Sequence, residues 1–353
     1  MVEAKAEINT VGRSPINIAS EYNFVKLGEY LIENKADLNS HNQINVTTLN
    51  NAINANYYDF VKLLLNHKAD PNYEGSLALA CSLDYFDIVK ILIENKSNVD
   101  GFDQIDLKTC LYISVEKQNK QIFDFLIKNN VTVNIKNTNN DNPICLSCSN
   151  ENIYFVKTLI KHKVEVNVTD SINNYPITIS VSKNNREIIN LLINSKANLD
   201  SKDQNGETSL YISAKNKTFD ILKILVENKA QVNLKNQNLE TPILVSSKNS
   251  STKFVDYLLL NDADPNINDM QNNTPLSYAC QNSNFDILFS LVQYKADVNQ
   301  LSIMGFPLVI ASSNGFFEGV KLLLENGKKN NFFIFFYFFI FFYIFIFFLF
   351  NRK

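Results

Sequence analysis

One phrase recurs along this chain at a nearly fixed interval, and that interval limits the possible folds more than any other feature. The phrase ends at Asn39 (ENKADLN), Asn72 (NHKADPN), Asp100 (ENKSNVD), Asn134 (KNNVTVN) and Asn167 (KHKVEVN). It returns at Asp200 (NSKANLD), Asn233 (ENKAQVN), Asn266 (LNDADPN) and Asn299 (QYKADVN). The steps are 33, 28, 34 and then 33 residues five times. A period of this size marks an array of small stacked units, one continuous body in place of the two or three domains that length alone suggests. A further copy, Phe306 to Gly327, opens normally and then breaks, giving about ten units.

The stretch from Asp269 to Asn299 shows what one unit holds. Thr274-Pro275 opens a first helix, as Ser14-Pro15 and Thr241-Pro242 do elsewhere. The hydroxyl caps orphan N–H groups, and proline suits the first helical position, where no donor is needed. All eight prolines fall at two places in the unit: six at this helix start, and Pro71 and Pro265 in the ADPN turn. The first helix is short, with small residues such as Ala279 and Cys280. A polar turn leads to a second helix whose apolar face carries Phe285, Ile287, Leu288, Leu291 and Val292 at helical spacing. A polar hairpin then enters the next unit. Helices this short cannot bury an apolar face alone, so neighbouring units must bury it. The fold class is an all-α repeat solenoid of stacked helix-turn-helix units joined by short β-hairpins or loops.

The pattern D-x-x-x-x-T-P-L-x-x-A…I-L-x-x-L-V-x-x-x-A-D-V-N resembles the ankyrin repeat, over roughly Ala6 to Gly327. The hairpin-opening aspartate recurs as Asp170, Asp203 and Asp269, with Asn236 in the same place. The resemblance implies L-shaped units with hairpin tips, a curved stack, and a concave face that binds other proteins. Two departures stand out. Lys35, Lys68, Lys96, Lys163, Lys196, Lys229 and Lys295 stand where the family ends its second helix with glycine, which Gly327 alone keeps. The histidine of the family's T-P-L-H motif is replaced by Asn17, Asn50, Tyr112, Cys145, Thr178, Tyr211, Leu244, Ser277 or Val309. The first departure places a side chain in a left-handed position, and the second removes a buried polar bridge between units. Both predict a softer stack. Unit three is five residues short, which predicts a stunted hairpin and a kink near 73–80.

Net charge is −3, so nothing drives binding to a phosphate backbone, and nucleic acid is not an expected partner. Five scattered cysteines read as reduced thiols in a cytoplasmic array. Cys145-x-x-Cys148 lacks a second ligand pair, and His67 and His162 sit three units apart, about 30 Å at the usual helix-layer spacing. His41 has no partner motif, and Glu33, Glu94 and Glu227 repeat on one helix face as solvated charge. No phosphate loop, nucleophile elbow, zinc-protease helix or kinase set is present. The chain reads as a non-enzyme with no catalytic, cofactor or metal residues and no small-molecule substrate. Its expected role is a non-catalytic protein-interaction scaffold. The ankyrin resemblance implies contacts at the hairpin tips: Ser171, Asn174, Gln204, Glu207, Gln237, Glu240, Met270 and Asn273. At the ends of first helices it implies Ser182, Lys183, Lys215, Asn216, Lys248, Asn249, Gln281 and Asn282.

After Gly327 the register calls for A-D-V-N, but the chain reads KKNN, then nineteen uncharged residues from Phe332 to Phe350, then NRK. Residues 1–330 form the array and 331–353 a separate apolar segment. Its length meets the requirement for a membrane span. Lys328, Lys329, Arg352 and Lys353 flank it as anchors. One reading is a tail anchor that tethers the array to a membrane. The other is translated intron or flanking sequence: the residues are those of AT-rich codons, and the repeat is cut mid-phrase. With the mid-repeat start at Lys5 to Asn9, that reading makes the chain a fragment of a longer array. Transcript sequencing across codon 327 decides. A spliced message restoring A-D-V-N removes the anchor, and an unspliced one removes the intron.

Overall fold

The computed structural model describes residues 7–10, 14–42, 46–103, 107–137 and 139–327. The described residues fold into twenty α-helices in ten pairs. The first helices are Pro15–Glu21, Thr48–Asn54, Ser76–Ser82, Cys110–Glu116 and Pro143–Ser149, then Pro176–Ser182, Ser209–Lys215, Pro242–Lys248, Pro275–Gln281 and Pro307–Ser313. The second helices are Val25–Glu33, Tyr58–Asn66, Phe86–Glu94, Lys120–Lys128 and Ile153–Lys161, then Arg186–Asn194, Phe219–Glu227, Thr252–Leu260, Phe285–Gln293 and Phe317–Asn326. These pairs are numbered below as repeats one to ten. The chain divides into two compact units, Met1–Pro176 and Ile177–Lys353.

The buried side chains are those that the helical spacing selects. In the first unit Phe60, Ile88, Ile122 and Phe155 hold the same second-helix position and are fully buried, as Ile188, Ile221 and Ile287 are in the second. First helices pack through a small-residue position: Ala52, Ala80, Ser114 and Ser147 in the first unit, Ser213, Ser246 and Ala279 in the second. The serines fit because each hydroxyl bonds back to its own helix. Ser114 donates to Leu111 at 2.7 Å and Ser246 to Pro242 at 2.7 Å. A hydroxyl satisfied locally can sit in a dry layer at little cost.

Helix starts follow the capping chemistry. Thr274 accepts from the Ser277 N–H at 3.1 Å, and Ser277 Oγ accepts from the Thr274 N–H at 2.9 Å. Thr241 has Leu244 in the position of Ser277, makes no cap bond, and leaves its buried hydroxyl unpartnered. The hairpins are tighter than paired strands. Among the described residues they make single bridges, such as Lys202 to Thr208. Repeat three has lost its hairpin: Asn72 runs into a 3₁₀ turn at Tyr73–Gly75 and directly into the helix. Glu74 and Gly75 are both left-handed there, and a Cβ on Gly75 would lie 2.5 Å from the Phe102 carbonyl.

Within each unit, residues that close one repeat tie it to the next. Asn39 Oδ1 accepts from the Asp70 N–H at 3.4 Å, Asn72 from Asn98 at 2.6 Å, Asp100 from Thr132 at 2.8 Å and Asn134 from Glu165 at 2.8 Å. In the second unit Asp200 accepts from Gln231 at 2.9 Å, Asn233 from Asp264 at 2.9 Å and Asn266 from Asp297 at 2.7 Å. Where the residue is asparagine its amide can also donate: Asn233 to the Asp262 carbonyl at 3.0 Å, Asn266 to that of Lys295 at 3.4 Å.

Those two carbonyls belong to left-handed residues. Every lysine in the glycine position is left-handed, with φ from 60° at Lys163 to 70° at Lys35. Gly327 is not, at φ −86°. The last helix runs one residue further, to Asn326. A left-handed side chain costs up to about 1 kcal/mol relative to glycine. Lys229→Gly and Lys295→Gly are therefore expected to stabilise the array by about 0.5–1 kcal/mol each. Urea unfolding of the double variant checks this, and an unchanged midpoint would show that the position carries no strain.

Candidate partner-binding surface

Three hairpins of the second unit are built by one device. Asp203 Oδ1 accepts from the N–H groups of Asn205 and Glu207, both at 2.8 Å. Asn236 does the same for Asn238 and Glu240 at 2.9 Å, and Asp269 for Gln271 and Asn273 at 2.9 and 2.8 Å. In the first unit Asp170 holds Ile172 and Asn174 in this way. Successive tips are then zipped through the backbone. The Gln237 N–H donates to the Asn205 carbonyl at 3.1 Å, Met270 to Asn238 at 3.2 Å and Ile303 to Gln271 at 3.1 Å. The Gln237 side chain joins the zipper, donating to the Gln204 carbonyl at 2.8 Å, while Gln204 and Met270 project from a fixed backbone, Met270 66% exposed.

Several residues expected at this surface are committed to the fold instead. Glu207 is only 8% exposed and holds Lys215 Nζ at 2.7 Å. Asn273 is 4% exposed and bonded to Asp269, its residue position turned inward beside the cap threonine. Glu240 is half-buried, accepting from Tyr211 Oη at 2.5 Å and from Lys248 Nζ at 3.1 Å. Asn249 and Asn282 are staples: their amides reach back to carbonyls of the previous first helix, Lys215 at 3.4 Å and Lys248 at 3.1 Å. Asn314 repeats this toward Gln281 at 3.1 Å. Ser171, Ser182, Lys183, Asn216 and Gln281 are exposed, and Asn174 is half-buried. Lys215 and Lys248 are exposed but held by their glutamates. The tips also carry apolar residues outside the expected set: Leu239, Leu301 and Ile303 are exposed.

The lost histidine does not leave the stack without polar bridges. Thr48 Oγ1 donates to Asn17 Oδ1 at 2.5 Å, and Ser76 Oγ to Asn50 Oδ1 at 2.7 Å. Cys145 Sγ donates to the Asn174 carbonyl at 3.8 Å. The Tyr211–Glu240 bond spans repeats seven and eight. A short amide and a long phenol both bridge the layer, because each reaches a different acceptor. In repeats eight and ten Leu244 and Val309 hold the place, and there the bridge is gone.

Burial pushes the Tyr211 phenol well up, with its bond to Glu240 adding to the effect. Tyr278 donates to Asp269 at 2.9 Å, and burial and that carboxylate push it up to about 12. Burial pushes the Glu240 carboxyl up, but the bonds from Tyr211 and Lys248 outweigh it, and the net shift is downward. Burial raises the Cys145 and Cys280 thiols, the latter to about 12. Cys81 is raised first by its hydrogen bond with Cys110 and then by burial. All five cysteines are buried thiols outside any disulfide. Buried thiols with raised values are poor nucleophiles and poor metal ligands. Among the described residues no three His, Cys, Asp or Glu side chains stand close enough to hold a metal ion. His41 is not simply solvated, since it pairs with Glu74 at 3.3 Å and lies edge-on to Tyr73.

The family model described as ankyrin repeats, three copies, matches residues 1–75, 77–170, 144–236, 177–269 and 243–333. This chain belongs to the ankyrin-repeat family. No curated protein matches it. Ankyrin repeats are in general protein–protein interaction modules, so the array carries that coarse role without a named partner. No helix among the described residues is long and apolar enough to cross a membrane, and the Phe332–Phe350 run lies outside them.

Glu240 makes the network pH-dependent in a defined direction. Its folded value lies below the ordinary 4.5, so its contribution is complete above that value and is lost as pH falls through the lower one. Glu240→Gln is expected to be less stable than the parent at neutral pH, with the gap closing in acid. Chemical unfolding of both proteins at a series of pH values checks it, and a gap that stays constant would exclude the carboxylate as its source.

Proposed function

We propose that this ankyrin-repeat protein is a non-catalytic scaffold that holds a protein partner on the hairpin tips of its second unit. One observation carries this reading. The tips are zipped by backbone bonds and Asx-type side chains, with Gln237 Nε2 adding a bond to the Gln204 carbonyl at 2.8 Å, and the exposed side chains of Gln204 and Met270 stand on that fixed backbone. A rigid backbone presenting uncommitted side chains loses little entropy on binding. Leu239 and Ile303 join Met270 as apolar anchors on neighbouring tips, and such anchors carry most of an interface's energy. Of the first-helix candidates, Lys183 and Gln281 extend the contact, and the polar rim follows from Ser171, Ser182 and Asn216. A tail anchor at Phe332–Phe350 would place the same array at a membrane, and the uncharged run itself supports that second reading.

Met270→Asp places an unpaired charge at the centre of the proposed contact. It is expected to weaken partner capture at least about tenfold while leaving thermal unfolding nearly unchanged, because Met270 is 66% exposed and buries little surface. Pull-down from source lysate by the parent and by the variant, with melting curves of both, is the measurement. Identical capture by both proteins would move the contact away from the tips.

A further inference from the structure

The second helices of repeats eight to ten form a surface unlike that of the rest of their unit. Between Ile177 and Ser251 ten basic residues stand beside seven acidic ones, whereas between Thr252 and Gly327 three stand beside eight. Aromatic exposure changes at the same place. Phe219, the first residue of the second helix in repeat seven, is covered by repeat eight. The Phe254 ring lies edge-on to it at 5.2 Å and Tyr257 at 5.5 Å, while the Lys253 ammonium sits 3.8 Å over its face. Phe285 holds the same place in repeat nine, and its neighbours in repeat ten are changed in every case. Glu318 stands where Lys253 stood, Gly319 in place of Phe254, and Leu322 in place of Tyr257. Gly319 cannot be enlarged, because a Cβ there would lie 2.3 Å from the Phe316 ring. Phe285 is left 42% exposed, stacked on Phe289, which is 45% exposed, with ring centroids 6.1 Å apart. Phe317 opens the next helix, one layer away at about 8–10 Å, and is 72% exposed.

We propose that this face of repeats nine and ten docks a basic amphipathic helix of a partner protein. The missing cation defines the occupant. Repeat seven shows that a phenylalanine in this place takes an ammonium over its ring, whereas in repeat ten Glu318 holds the register of that lysine and, among the described residues, no cation lies over the Phe285 ring; Lys321, the one basic residue of the last helix, stands at the register of Phe289. A partner Lys or Arg between Glu318 and the Phe285 ring meets both, as cation–π contact and ion pair. Leu or Ile residues one turn apart on the same helix cover Phe289 and Phe317. The exposed Asp286 and Glu325 extend the acidic rim. An anionic lipid surface is disfavoured by that rim. The surface is separate from the hairpin tips, so one array can hold two partners.

The test is fluorescence anisotropy on the full chain with a labelled Leu/Lys peptide that forms a one-sided apolar helix. A Leu/Glu peptide of identical pattern is the control. The Leu/Lys peptide is expected to bind, more weakly as salt rises, and the Leu/Glu peptide not to bind. Phe289→Ser and Phe317→Ser, both at exposed sites, should each weaken binding about tenfold. Met270→Ser at the hairpin tips should leave it unchanged, which separates this surface from that of the proposed scaffold contact. No binding of the Leu/Lys peptide, equal binding of the Leu/Glu peptide, or unchanged binding in both phenylalanine variants overturns the proposal.

Discussion

The array depends on a hydrogen bond from a backbone N–H to the side chain that closes the previous repeat. Asn233 Oδ1 takes the Asp264 N–H, Asn266 Oδ1 takes the Asp297 N–H, and the same bond recurs in the first unit. A repeat of two short helices needs directional bonds of this kind to fix its neighbour's height and rotation, since apolar contacts are non-directional. The bond also explains the left-handed residue two positions earlier. Lys295 must turn the chain so that its carbonyl meets the Asn266 amide and its successors reach the acceptor. Glycine would do this without strain. Lysine does it with strain, and its exposed side chain buries nothing to offset the cost.

The same logic governs the polar groups lining the hairpin side. Tyr211, Glu240, Lys248, Tyr278 and Asp269 form a relay: Tyr211 and Lys248 bond to Glu240, Lys248 lies 5.7 Å over the Tyr278 ring, and Tyr278 bonds to Asp269. All but the exposed Lys248 are buried or partly buried and each is satisfied, the condition under which buried polarity rigidifies a fold. The relay replaces the histidine bridge of the family with longer side chains. Repeats seven to nine are thus held twice, once at the closing asparagine and once at the hairpin.

Much of this was legible in the sequence because it is local and periodic. The interval located the helix pairs, Ser/Thr-Pro located three of the helix starts (Pro15, Pro242 and Pro275), and the lysine in the glycine position announced a left-handed turn. The candidate surface was less legible, because exposure at a hairpin depends on which side chain finds a partner across the turn. Glu207 and Glu240 resemble free hairpin residues until Lys215 and Lys248, eight residues on, are seen to hold them. The spacing was visible: Lys108 and Glu116 carry the same pair with signs reversed, 2.9 Å apart. The recurrence of Asn249, Asn282 and Asn314 was visible too, and it signals a staple, since a partner contact has no reason to repeat with the fold.

That last distinction separates fold from function along the whole chain. A residue type that returns in every repeat at one place answers a demand that every repeat makes, and such demands are structural. A residue that breaks the series answers something local. By this measure the asparagines and hairpin aspartates belong to the array. Met270 breaks a polar series, and Phe289 stands where Lys223 pairs with Glu227 two repeats earlier at 3.8 Å. Replacing an ion pair in water by an exposed ring gains nothing for the folded chain alone. In the proposed docking, the partner helix that covers the ring supplies the gain.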